Sequence, residues 1–188
     1  MHDLIAITAL GGTEPRVDVV GARTCTELSN LALASVTARM GREADCAAAL
    51  ARVLGTDGPG PGKAVLSTPY SAVWTGPAQW MLGADFATHE DIAAQLKTAV
   101  GDSASVSEQT DAWAGFDLTG DRVHSVLELL CNVNLNSVEA GDATRSSIHH
   151  LGCFLICGER DRFWRIIGPR ASAGSLHHAI VTAMKAVA

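Results

Sequence analysis

Five cysteines (Cys25, Cys46, Cys131, Cys153 and Cys157) and seven histidines are the side chains of this sequence best equipped to hold a metal or attack a substrate. Their spacing argues against both uses. His149 and His150 are neighbours beside a predicted strand, where successive side chains point to opposite faces and cannot easily share one ion. His177 and His178 sit in a predicted helix, about 100 degrees apart around its axis. Cys153 and Cys157 fall on one face of a strand but are too far apart for a paired-cysteine metal knuckle. The bland assignment is core cysteines and half-exposed histidines. No Gly-x-Ser-x-Gly elbow marks a nucleophile. The carboxylates Asp111, Asp117, Asp121 and Asp142 cluster at predicted strand and helix ends, where a helix dipole accounts for Asp121 better than acid-base chemistry does. No catalytic, cofactor-binding or metal-binding residue is assigned from the sequence.

Phosphate binding needs a glycine-rich turn whose amides and following helix meet the anion. The one glycine-rich run, Gly58-Pro-Gly-Pro-Gly62, loses two amide donors to proline and reads as a surface spacer loop. A formal net charge of -6, with Lys63, Lys97 and Lys185 the only lysines, gives no basic face for nucleic acid or an anionic membrane. No uncharged apolar stretch reaches the roughly 20 residues of a membrane span. Met1 to Leu10 has no basic region and is stopped by Gly11-Gly12, so a cytoplasmic location is expected. An odd cysteine count in a chain of 188 residues argues for reduced thiols rather than a disulfide framework.

The elements that must position these groups follow from periodicity. With 47% hydrophobic and 18% charged residues, the chain has enough apolar material to bury a core. After an N-terminal arm comes an apolar stretch, Leu28 to Met40, and then a helix carrying Cys46, Leu50, Val53 and Leu54 on one face and stopped by Gly55. Short strands are predicted at 63–66, 71–75 and 79–83. Thr88-His-Glu-Asp91 has the form of a capping box, opening a helix with Ile92, Leu96 and Val100 on one side. Strands at 104–106 and 112–118 precede a helix at 121–131, with Val123, Val126, Leu127 and Leu130 at i, i+3, i+4 and i+7. Strands at 144–148, 152–157 and 163–167 and a helix at 172–187 complete the chain. The order is not the alternation of a doubly wound sheet; it predicts an α+β fold with mostly antiparallel sheets in two related strand-helix halves. The expected divisions are an arm with the first strand (1–40), a first half (41–103) and a second half (104–188), forming one cooperative unit.

The tryptophans Trp74, Trp80, Trp113 and Trp164 fall in predicted strands and read first as core. Trp74, Trp80 and Trp113 are also the candidates for anchors at a protein interface, where tryptophan is enriched. They lie in the segments that resemble a known family. Trp74-Thr-Gly-Pro-Ala-Gln-Trp80-Met-Leu82 resembles the tryptophan-glycine-proline segment of the gamma subunits of heterotetrameric sarcosine oxidase. Asp111-Ala-Trp-Ala-Gly-Phe-Asp-Leu-Thr-Gly120 is similar to their central strand and its closing glycine. Val126-Leu127 through Cys131-Asn-Val-Asn-Leu135 is similar to the helix and exit that follow, with Asn134 in place of the usual acid. The resemblance spans about residues 60 to 188 and leaves 1–40 largely unmatched.

The resemblance implies a fold like the folate-binding domain of the aminomethyltransferase of the glycine cleavage system. It implies a non-catalytic structural subunit of a flavoprotein oxidoreductase that demethylates sarcosine to glycine, giving peroxide and formaldehyde or 5,10-methylenetetrahydrofolate. The isolated chain is then expected to be inactive and to bind no cofactor. FAD, FMN, NAD and tetrahydrofolate are expected on alpha and beta partners, and zinc on a delta partner. A stand-alone folate-binding aminomethyltransferase-like protein is the rival, weakened because the chain lacks the Asp-Asp pair expected near that folate pocket. The equivalent subunit of a related N-methyl amine demethylase is another. Residues 1 to 40 read as an arm suited to embracing a partner.

Overall fold

The computed structural model describes residues 5–188, and along them the chain runs β1 (Val17–Val20), β2 (Arg23–Leu28), β3 (Leu31–Ala38), α1 (Glu43–Leu54), β4 (Ala64–Val65), β5 (Ser71–Gly76), β6 (Gln79–Asp85) and α2 (Ile92–Val100). It continues through β7 (Ala104–Glu108), β8 (Trp113–Gly120), α3 (His124–Glu128), β9 (Ala143–Ile148), β10 (Leu151–Glu159), β11 (Phe163–Pro169) and α4 (Ala173–Ala186). The fold is α+β, with two sheets whose paired strands are antiparallel throughout.

The chain divides into two compact units, and the division is not the linear one expected. Asn30–Thr110 forms one; the N-terminal residues up to Ser29 join Asp111–Ala188 in the other. The expected segment 1–40 therefore does not behave as one arm with one strand. Its first four residues lie outside the described residues; β1 and β2 belong to one unit and β3 to the other. Short strands rich in polar residues, such as Arg23-Thr-Cys-Thr-Glu-Leu28, bury their odd positions and carry no apolar alternation that would announce them.

In the Asn30–Thr110 unit the strand order is β4-β5-β6-β3-β7. Alternation puts Ala32, Ala34, Val36, Ala72, Trp80, Leu82 and Ala84 on one side, packed with Cys46 and Leu50 of α1 and Ile92, Leu96 and Val100 of α2. The small alanines of β3 let the helices approach closely. The helix expected from Thr88 begins only at Ile92: Thr88 lies in a turn, its Oγ1 2.8 Å from His89 Nδ1. The loop read as a pure spacer is anchored at its centre, where buried Pro59 accepts a 2.9 Å hydrogen bond from the Trp80 indole N–H.

In the other unit the order is β1-β2-β8-β11-β10-β9. Cys25, Phe116, Leu118, Leu155, Trp164 and Ile166 face a core completed by Val123, Val126 and Leu127 and by Leu176, Ile180 and Met184 of α4. The helix expected over 121–131 is reduced to the five residues of α3, continued by turns through Leu130. On the opposite side of the sheet, Arg165 and Asp117 stand directly across from one another and form a two-pronged ion pair, both bonds 2.8 Å.

The pairing of β2 with β8 joins residues far apart in sequence, and it puts Arg23 opposite Gly120. Gly120 has φ +124, and a Cβ there would lie 2.1 Å from the Ala22 carbonyl oxygen. Gly120→Ala is expected to destabilise the chain by more than about 2 kcal/mol, since backbone rather than a flexible side chain must yield. Gly55→Ala, at φ +70 with open space around the site, is expected to cost only about 1 kcal/mol. Urea midpoints of the two variants measure the difference; equal losses would show that the β2–β8 crossing tolerates a side chain.

Candidate functional site

The three tryptophans proposed as interface anchors occupy three different environments. Trp80, in β6, is 8% exposed and belongs to the helix-facing core. Trp74, directly across from it in β5, is half-buried on the same side of that sheet. Trp113 opens β8, half-buried, with its ring 5.4 Å from Phe154. Trp80 is thus a core residue held by Pro59, and Trp74 and Trp113 keep only part of their surface in water.

The reactive side chains are turned inward. Burial pushes the thiol of Cys25 up to about 12, with the carboxylate of Asp18 adding to the shift. Burial likewise lifts Cys153 and Cys157 to about 11. A thiol so raised carries almost no thiolate near neutrality and is a poor nucleophile or metal ligand. Among the described residues no group of three or more His, Cys, Asp or Glu side chains is arranged to hold a metal ion.

One polar cluster was not foreseen. His177, 6% exposed on α4, sits with its ring 5.8 Å from that of Phe116 and its Nε2 2.8 Å from Asp18 Oδ2. Asp18 in turn receives the Arg16 guanidinium, through Nε at 2.9 Å and Nη2 at 3.3 Å. The Arg16 hydrogen bond holds the Asp18 carboxyl below its ordinary value, and His177 adds to this. Asp18 stands opposite Cys25, so a thiol, an imidazole and a carboxylate are near one another. Yet the thiol is lifted to about 12, which leaves no activated nucleophile for the imidazole to serve. The cluster fastens β1 to α4. A sequence signal for it did exist: Ala173, Leu176, His177, Ile180 and Met184 form one helical stripe, and His177 interrupts it. Nothing in the sequence pointed to Asp18 as its partner.

Two further buried polar residues are also spent on structure. Glu27, 2% exposed, accepts the backbone N–H groups of Leu10 and Arg16 at 2.9 and 3.0 Å. Arg23 donates to the Val187 carbonyl at the end of α4, 2.9 Å away. A depression of about 230 Å³ lies open along α4 beside Leu129, His149, His178 and Thr182. It joins two of the histidines considered above, one at the β9–β10 turn and one on the helix.

Two outcomes follow for the folded chain. With iodoacetamide at mildly alkaline pH, half-buried Cys131 is expected to react first and Cys25, Cys153 and Cys157 only after urea is added, as peptide mass spectrometry would resolve; early labelling of Cys25 would contradict its burial. Asp18→Ala is expected to cost about 1–2 kcal/mol near neutrality. Because the folded carboxyl titrates below its ordinary 3.8, its contribution is present above that pH and is lost as the pH falls through the lower folded value. The urea midpoints of wild type and variant should therefore converge below about pH 4; a gap that stays constant with pH would remove the ionic part of the account.

No protein-family model and no curated protein matches the chain. Solved structures do. A chain of the heterotetrameric sarcosine oxidase from Corynebacterium sp. U-96, solved in complex with pyrrole 2-carboxylate, is 22% identical with a TM-score of 0.74, over 88% of this chain and 86% of that one. The glycine cleavage system aminomethyltransferase T from Bartonella henselae is 16% identical with a TM-score of 0.58, over 82% of this chain but 44% of that one. The chain has the fold that these two proteins share.

Proposed function

We propose that this chain is the non-catalytic, gamma-type structural subunit of a cytoplasmic heterotetrameric sarcosine oxidase complex. In that role it works beside alpha, beta and delta subunits that carry FAD, FMN, NAD, tetrahydrofolate and zinc, and that demethylate sarcosine to glycine. The observation that carries this reading is the reciprocal coverage of the fold. It accounts for 88% of this chain and 86% of one chain of such an oxidase, but for less than half, 44%, of the aminomethyltransferase.

A second reading, a stand-alone folate-binding protein, is favoured by the TM-score of 0.58 to the aminomethyltransferase. One purification separates the two. The chain, tagged in its native host, is expected to elute at equal stoichiometry with larger flavin-bearing subunits, and the complex to release peroxide on addition of sarcosine. The isolated chain is expected to show no saturable binding of a reduced folate. A lone, colourless chain that binds reduced folate would replace the first reading by the second, and peroxide released only with dimethylglycine or another N-methyl amine would change the substrate.

A further inference from the structure

Among the described residues the two sheets present four edges, and three are protected in familiar ways. β4 is two residues long; β7 carries Ser105, Ser107 and Glu108; β9 carries Thr144, Arg145, Ser146 and Ser147. β1 is different. It is the outermost strand of its sheet, and its sequence Val17-Asp-Val-Val20 has no lysine, arginine or proline. Val17 and Val19 are 55% and 68% exposed, side by side on the face opposite Asp18.

The main chain of β1 faces outward at the same two residues. Glu27 N donates to Arg16 O at 2.8 Å and Arg16 N donates to the Glu27 carboxylate at 3.0 Å, so the main chain of Arg16 faces β2. In an antiparallel ladder hydrogen-bonded pairs alternate, so Asp18 and Val20 bond towards β2 while the N–H and C=O of Val17 and Val19 point away from it. Two free donor-acceptor sets, two residues apart, match the repeat of an added strand. The one inward charge, Asp18, is already paired with the Arg16 guanidinium and in contact with His177 Nε2, so it does not disfavour pairing as an unpaired charge would.

Resting on the subunit reading above, we propose that β1 is a docking edge: a segment of a different polypeptide, extended and apolar at alternate positions, adds as a seventh strand to this sheet and covers Val17 and Val19. Its area selects the occupant. Four residues of edge bury far less than the roughly 1,200 Å² of a stable interface, too little to hold a second copy of this chain by itself. A larger partner that also touches other surfaces supplies the remainder.

The test uses the full chain, tagged in its native host, as wild type, Val19→Pro and Leu129→Lys. Proline at 19 removes an outward N–H that β2 does not use, so the folded chain should keep its urea midpoint. The expected result is that Val19→Pro lowers the co-purified partner by about tenfold or more, that Leu129→Lys just after α3 does not, and that hydrogen exchange at Val17 and Val19 slows in the wild-type complex relative to the free chain. Full partner recovery with Val19→Pro, or unchanged exchange at both residues, overturns the docking edge and leaves the subunit reading standing. An assembly containing only this chain overturns the hetero-partner assignment. If no complex forms with the wild type, both the edge and the subunit reading fall.

Discussion

The pairing of β2 with β8 is the constraint on which the rest of the structure depends. It brings residues 23–28 beside 115–120 and so closes a loop of 86 residues, 29–114. Loop-closure entropy for that length is about 4 kcal/mol, set against a ladder that also seats β1 on one side and β11 on the other. Because β2 and β8 are interior neighbours in their sheet, the six-stranded order is complete only when these sequence-distant strands pair.

That closure explains the location of the buried charges. β2 has little apolar material to offer, since only Cys25 and Leu28 among its residues are hydrophobic. Its inward positions instead carry Arg23 and Glu27, each with a specific backbone partner: Val187 O for the one, Leu10 N and Arg16 N for the other. Such bonds fix register in a way a sliding apolar strand does not, because a shift by one residue would turn both charges to the other face and leave their partners unsatisfied. The Asp18–His177 contact repeats the device for β1. The N-terminal strands are thus held largely by directional polar contacts, while β8, β10 and β11 bury much apolar area and β8 and β11 add the Arg165–Asp117 pair.

This difference decides what was legible in the sequence. Helix α4 lies within a residue of its expected limits, α1 stops before Gly55 as expected, and β5, β6 and β8 to β11 lie within about two residues. Periodicity is a faithful guide wherever burial alone determines the side that faces in. It fails for β1 and β2, whose inward residues are charged or small. It also overextended α2 to Thr88 and α3 to 121–131, because a capping pattern and an apolar spacing were given more weight than the chain needed: tertiary turns supply what the extra helical turns would have. Trp80 shows the same limit at the site: it reads first as core, and the structure buries it. A tryptophan in a strand was visible; the Pro59 carbonyl that satisfies its indole, contributed by a loop that looked like a spacer, was not.

Buried charge and exposed apolar surface together limit what this chain can do for a partner. A buried ion pair or capped carboxylate is already satisfied, so exposing it to a ligand would require breaking bonds that stabilise the fold. The polar groups most suggestive of chemistry, Cys25, Asp18, His177 and Glu27, are therefore the least available for it. What the surface of this unit does offer without structural cost is unspent hydrogen-bonding capacity on the main chain and apolar side chains already in water, and both coincide at Val17 and Val19. Main-chain bonding recognises extended conformation rather than sequence, and valine side chains reward any apolar neighbour. Selectivity among strands added at that edge would then have to come from contacts made elsewhere.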